Sequence, residues 1–168
     1  MKTGIYLSYV GLGANLLHLS YCHEIAKRHG PVTIITLCKN LEAALLDDPL
    51  IEEVFFLNKY QKKFIDILKL SHVLKKFNFE NLLIFYPSPR LYLSAKIAGI
   101  KNVFIYNFFK KNKLHLVNAA KKLTENFLNI KNCPTEATFF IKQEKINNVI
   151  RELDDKKFKI VIGAGSSG

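Results

Sequence analysis

The chain has 168 residues with 49% apolar, 12% aromatic and 23% charged side chains, a balance that supports one globular core and excludes a disordered, collagen-like or disulfide-scaffold protein. Lys and Arg number 25 against 14 Asp and Glu, leaving a net charge of +11 that points to acidic partners. Arginine is scarce, at Arg28, Arg90 and Arg151, so the planar fork that reads phosphates and guanine edges is largely missing and no nucleic-acid partner is expected.

Short continuous apolar runs alternate with longer segments of helical period, the pattern of strands joined by crossover helices. The runs predict strands at 3–9, 31–37, 53–57, 81–86 and 102–106. Within them apolar residues do not alternate strictly with polar ones, so both faces are expected to be covered, as in a parallel sheet. Helices are predicted between the strands at 15–29, 40–47, 60–77 and 89–98, with Gly30-Pro31, Asp48-Pro49 and Gly99 as their stops. On the first helix, Ser20, Glu24, Lys27 and Arg28 share one side, and His18, Cys22 and Ile25 face the sheet. A helix over 114–130 and another over 143–153 follow, both read as coverings of the sheet. The fold class is therefore α/β, a doubly wound, Rossmann-like parallel sheet over residues 1–155. Residues 156–168 read as the first strand and glycine-rich loop of a second domain that the chain does not continue.

The first candidate site is Gly11-Leu12-Gly13-Ala14-Asn15, between the first strand and first helix. In a doubly wound sheet this loop lies at the carboxyl ends of the strands, where ligands bind, and glycine permits positive φ and close approach to the backbone. A dinucleotide fingerprint would need a third glycine at Leu16 and an acidic residue closing the second strand, which instead ends Thr36-Leu37-Cys38-Lys39. No nicotinamide or flavin cofactor is expected. His18 and Cys22 are four apart, but His23 lies off their face and Cys38 and Cys133 show no paired spacing, so no metal site is expected. His18 itself, near a helix start whose positive end favours a neutral imidazole, is either a candidate base or a buried structural residue.

Beyond the fourth strand, Ser88 is placed to cap the next helix and Arg90 projects from its first turn, suited to a carboxylate or phosphate. Lys110, Lys111, Lys113 and His115 return to the same edge after the fifth strand, beside Tyr106, Phe108 and Phe109. No Ser-His-Asp order, nucleophile elbow, Walker A loop or HExxH helix occurs. Three separated cysteines and the absence of a signal peptide or a membrane-length apolar run fit a soluble cytoplasmic protein.

Taken in order, Gly11–Ser20, Leu45–Val54, Phe79–Tyr86, Leu93–Gly99, His115-Leu116-Val117 and Ile162–Gly168 resemble segments of glycosyltransferase family nine, the ADP-heptose:lipopolysaccharide heptosyltransferases of GT-B architecture. The resemblance covers essentially the whole chain. It implies the amino-terminal, acceptor-binding half of an enzyme that transfers a sugar, with inversion, from an ADP-linked nucleotide sugar to an anionic lipopolysaccharide-core glycolipid. A peripheral contact with the inner membrane would follow, and no separate cofactor or metal. Together with the residue reading above, this leaves Gly11, Gly13, Asn15, Ser88, Arg90, Lys110 and Lys111 as candidate acceptor contacts and Gly165, Ser166 and Ser167 as candidate donor-phosphate contacts. Family members carry an acid directly after the loop glycine, where this chain has Ala14 and Asn15. That departure leaves His18 as the candidate base, or moves the base elsewhere. A non-catalytic binding module for an acidic ligand is the alternative reading.

Overall fold

The computed structural model describes residues 2–58, 64–106, 115–136 and 138–152. Their order is β1 (Thr3–Leu7), α1 (Leu12–Leu16), α2 (Leu19–His29), β2 (Val32–Thr36), α3 (Leu41–Ala44), β3 (Ile51–Phe56), α4 (Phe64–Lys76), β4 (Asn81–Ile84), α5 (Pro89–Ile97), β5 (Asn102–Ile105), α6 (Leu116–Leu128) and α7 (Gln143–Glu152). The five strands form one parallel sheet in the order β3-β2-β1-β4-β5, the α/β class expected from the sequence. Beyond the described residues lie the predicted strand and glycine loop of 156–168, and Lys110 and Lys111.

Alternation along the central strands divides the core in two. Ile5, Leu7, Ile34, Leu83 and Phe85 pack on one side with residues of α2, α3 and α6. Tyr6, Ile35, Leu82 and Ile84 pack on the other with residues of α4 and α5. β1, β2 and β4 are buried throughout, whereas the edge strands β3 and β5 are partly exposed. This explains why the central runs are continuously apolar, with both faces covered.

Four expectations are corrected. The helix predicted over 15–29 begins earlier and is interrupted: His18 N–H bonds to Asn15 O, three residues back, and α2 restarts at Leu19. Ser20, expected on the solvent side, is buried in the first turn of α2. The helix expected over 40–47 is a single turn, because Asp48 precedes Pro49 and its carboxylate accepts from Leu50 N–H, drawing the chain into β3 two residues early. Finally, α7 does not cover the sheet: Val149 and Ile150 are 55% and 51% exposed. This helix is attached at its start, where Lys142 and Lys145 pair with Asp47 at 3.4 and 2.5 Å. Lys145 foremost, and then Lys142, holds the Asp47 carboxyl below its ordinary value. Beside this clamp the His23 ring bonds Asp48 at 2.6 Å and meets the edge of Phe140.

Gly4 in β1 faces the aromatic stack of Phe77 and Phe79, and a Cβ there would stand 2.7 Å from the Phe79 ring. Gly4→Ala is therefore expected to destabilise the chain by about 1–3 kcal/mol. Gly13→Ala, in a helical turn where a Cβ meets no protein atom, should instead be neutral or stabilising by up to about 1 kcal/mol. Denaturant titration of the two variants checks the contrast.

Candidate functional site

Since the strands are parallel and the sheet reverses its winding at β1 and β4, the loops leaving these strands open a crevice at the carboxyl edge. The β1 loop holds Gly11 and Gly13, both exposed. Neither has positive φ; among described glycines that conformation belongs to Gly30 and Gly99. A Cβ at Gly11 or Gly13 would meet no protein atom within 4 Å, so the backbone here is open to an external group rather than bent by a special turn. Val10 and Leu17 stand exposed on the same loop, at 65% and 50%.

Asn15 turns inward. Its amide nitrogen donates to Tyr9 O at 3.0 Å and Gly11 O at 2.7 Å, while its oxygen accepts from the Thr36 hydroxyl at 3.0 Å. Thr36 Oγ1 in turn accepts from Cys38 N–H. The side chain, 1% exposed, thus ties the loop after β1 to the end of β2, and both its amide hydrogens are engaged. As the structure stands, Asn15 shapes the loop rather than presenting its amide to an acceptor.

His18 is fully buried. Its Nδ1 lies 2.7 Å from Ala14 O, which can only accept, so Nδ1 carries the proton and Nε2 accepts from the Tyr106 hydroxyl at 3.1 Å. The ring stacks on Tyr9 at 5.0 Å and meets the edge of Phe85 at 5.4 Å. Burial, more than any helix end, pulls its pKa below the ordinary imidazole value, with the Ala14 bond opposing weakly. Burial raises the Tyr9 and Tyr106 phenols far above their usual range. These groups are neutral hydrogen-bond partners, and the basic nitrogen of His18 is closed by Tyr106.

From the β4 end, Ser88 Oγ caps α5 by accepting Leu91 N–H at 3.4 Å, with Pro89 at the first helical position. Arg90 is exposed in that first turn, on the same edge of the sheet as the glycine loop. His115 caps α6 through Val117 N–H. Sequence reasoning missed the aromatic cluster that joins these loops: Tyr9 bonds Phe85 O and meets Tyr86 edge-on at 6.1 Å, and Phe85 meets Tyr106. Its signal was an aromatic residue just past the end of each of β1, β4 and β5. It also passed over two carboxylates that the topology brings to this edge, exposed Glu42 starting α3 and buried Asp66 starting α4. Among the described residues, no three His, Cys, Asp or Glu side chains converge as a metal site would require.

Two variants test this description. Asn15→Asp would set a carboxylate against the carbonyls of Tyr9 and Gly11 and should cost about 2 kcal/mol or more of stability. For His18, the lowered folded pKa means that the unfolded chain binds the extra proton first. Its stabilisation is complete above the ordinary imidazole value of about 6.5 and is lost as pH falls below it towards the lowered folded value. His18→Gln should flatten that acid-side decline while lowering stability at neutral pH by about 2–4 kcal/mol, both measurable by urea unfolding across the pH series.

No family model matches the chain, and no curated protein matches it by sequence. Solved structures do. A glycosyl transferase family 9 protein from Veillonella parvula DSM 2008 superposes with a TM-score of 0.64 at 14% identity, over 89% of this chain and 48% of that one. The E. coli ADP-heptose LPS heptosyltransferase II gives 0.62 at 14% identity, over 90% and 50%. The chain thus spans about half the length of either, and its doubly wound sheet is the fold found in that half of a GT-B glycosyltransferase.

Proposed function

We propose that this chain is the acceptor-binding part of a glycosyltransferase that moves a sugar, with inversion, from an ADP-linked nucleotide sugar to an anionic glycolipid of the lipopolysaccharide-core type. The observation that carries this reading is the shared fold over 89–90% of the chain with two glycosyltransferases, together with an open glycine loop at the edge where such sheets bind ligands. Exposed Arg90 in the first turn of α5 supplies a fork suited to a carboxylate or phosphate of the acceptor. Lys110 and Lys111 are assigned to the same acceptor, and Gly165, Ser166 and Ser167 to the donor diphosphate. Attack by an acceptor hydroxyl on the anomeric carbon needs a base for its proton. His18 offers an unprotonated Nε2 for this role only if Tyr106 swings aside.

The closed state of His18 and the lack of an acid at Ala14 or Asn15 favour a second reading, a module that binds an acidic sugar ligand without transferring anything. Titration of the chain with de-acylated lipopolysaccharide core should give saturable binding that Arg90→Ala weakens about tenfold. Mass spectrometry of the same acceptor incubated with ADP-heptose and the product of the complete open reading frame then separates the readings. A heptosylated product supports transfer, binding without product supports the module, and no binding by the wild type overturns both.

A further inference from the structure

α7 is a helix without a packed face. Its ten residues are fewer than the roughly 12–15 at which an isolated helix begins to hold its shape in water. Tertiary packing ordinarily makes up such a deficit. Here Val149 and Ile150 are exposed, and among the described residues no strand or other helix packs broadly against α7. The first turn adds a further cost. Lys142, just ahead of the helix, and Lys145 stand at its positive end, where cations are unfavourable, and within the segment Glu144 alone opposes them. Local sequence by itself does not account for an ordered α7.

Asp47, in the turn between α3 and β3, answers both deficits. Its side chain is 7% exposed, with Oδ2 accepting from Lys145 Nζ at 2.5 Å and Oδ1 lying 3.4 Å from Lys142 Nζ. Among the described residues no hydrogen bond reaches Oδ1, so the Lys142 charge is what this oxygen has. The carboxylate neutralises two lysines and brings a negative charge to the helix end whose dipole favours one. Ahead of the helix, Phe140 sets its ring against His23 at 5.6 Å, and His23 is itself engaged with Asp48 at 2.6 Å. The aromatic contact brings the chain to this place, and the ion pairs hold the helix there.

We propose that Asp47 is the catch of an order switch: α7 is helical while Lys142 and Lys145 hold this carboxylate, and it melts as a unit, ahead of the sheet, when they release it. Exposed ion pairs contribute little and are weakened by salt, so α7 opens far more readily than β1 and β4, which are buried throughout. Opening uncovers the Asp47 carboxylate and leaves both lysines to anions in solution, which makes ionic conditions the input of the switch. This assignment goes beyond the sugar-transfer reading and does not depend on it.

Hydrogen–deuterium exchange of the 168-residue chain, read by mass spectrometry of peptides from α7 and from the strands, tests it. Amides of α7 should exchange faster than those of β1 and β4, and added salt should speed α7 while leaving the strands unchanged. Asp47→Asn should speed α7 about tenfold. Glu42→Gln, which removes the same charge from an exposed position of α3, should leave α7 as it is. Lys145→Glu separates the catch from intrinsic helix strength, because an acid in the first turn favours an isolated helix but repels Asp47. Faster exchange in that variant supports the catch, and it carries the test should Asp47→Asn fail to fold. Wild-type protection of β1 and β4 shows that a variant is folded. The proposal is overturned if wild-type α7 is unprotected or as slow as β1, or if salt leaves it unchanged. It is equally overturned if a folded Asp47→Asn exchanges like the wild type, if Glu42→Gln speeds α7 as much, or if Lys145→Glu slows it or leaves it unchanged.

Discussion

The rest of the structure depends on β1 being a central strand buried on both faces. A parallel strand in that position cannot turn back beside itself. Its chain must leave at the carboxyl edge, climb over one helical layer and return at the opposite edge. Winding towards β2 and β3 uses one face, winding towards β4 and β5 uses the other, and the crevice where the two directions part lies at the ends of β1 and β4. The glycine loop, the cap at Ser88 and the exposed Arg90 reach one edge for this topological reason, although more than seventy residues of chain separate them.

Within that edge, burial decides which polar groups are structural. Asn15 occupies a place enclosed by two backbone carbonyls and a threonine hydroxyl, and a primary amide satisfies all three, whereas a carboxylate would satisfy one and oppose two. His18 is held as a neutral single tautomer between the carbonyl of Ala14 and the hydroxyl of Tyr106, in a wall of rings. The histidine that sequence position offered as a base is thus a joint between the first helices and the end of β5. Any chemistry at this site works against that bond.

The positive charge also has a geography. Acids gather around α3, β3 and the start of α7, with Asp47 clamping two lysines, while the exposed charged or titratable side chains of α4 and α5 are Lys69, His72, Lys75, Lys76, Arg90 and Lys96. Net charge alone named a preference for acidic partners. The distribution of that charge sets the exposed cations of α4 and α5 apart from the acids of α3 and β3.

The amino-acid sequence by itself determined the elements and their class. Continuous runs such as Asn81–Ile84 can be buried only in a two-sided sheet, and Gly30-Pro31, Asp48-Pro49 and Ser88-Pro89 punctuate the chain through local backbone preferences that need no tertiary context. The order of motifs also pointed to the glycosyltransferase likeness that the fold comparison bears out. Tertiary structure alone decided the break between α1 and α2, the inward turn of Asn15 and the closure of His18. The last two depend on a partner far away in sequence, Thr36 for the asparagine and Tyr106 for the histidine, which lies 88 positions on. Periodicity reports which face of a segment is apolar; it does not report which hydroxyl or carbonyl will be waiting when that face is buried.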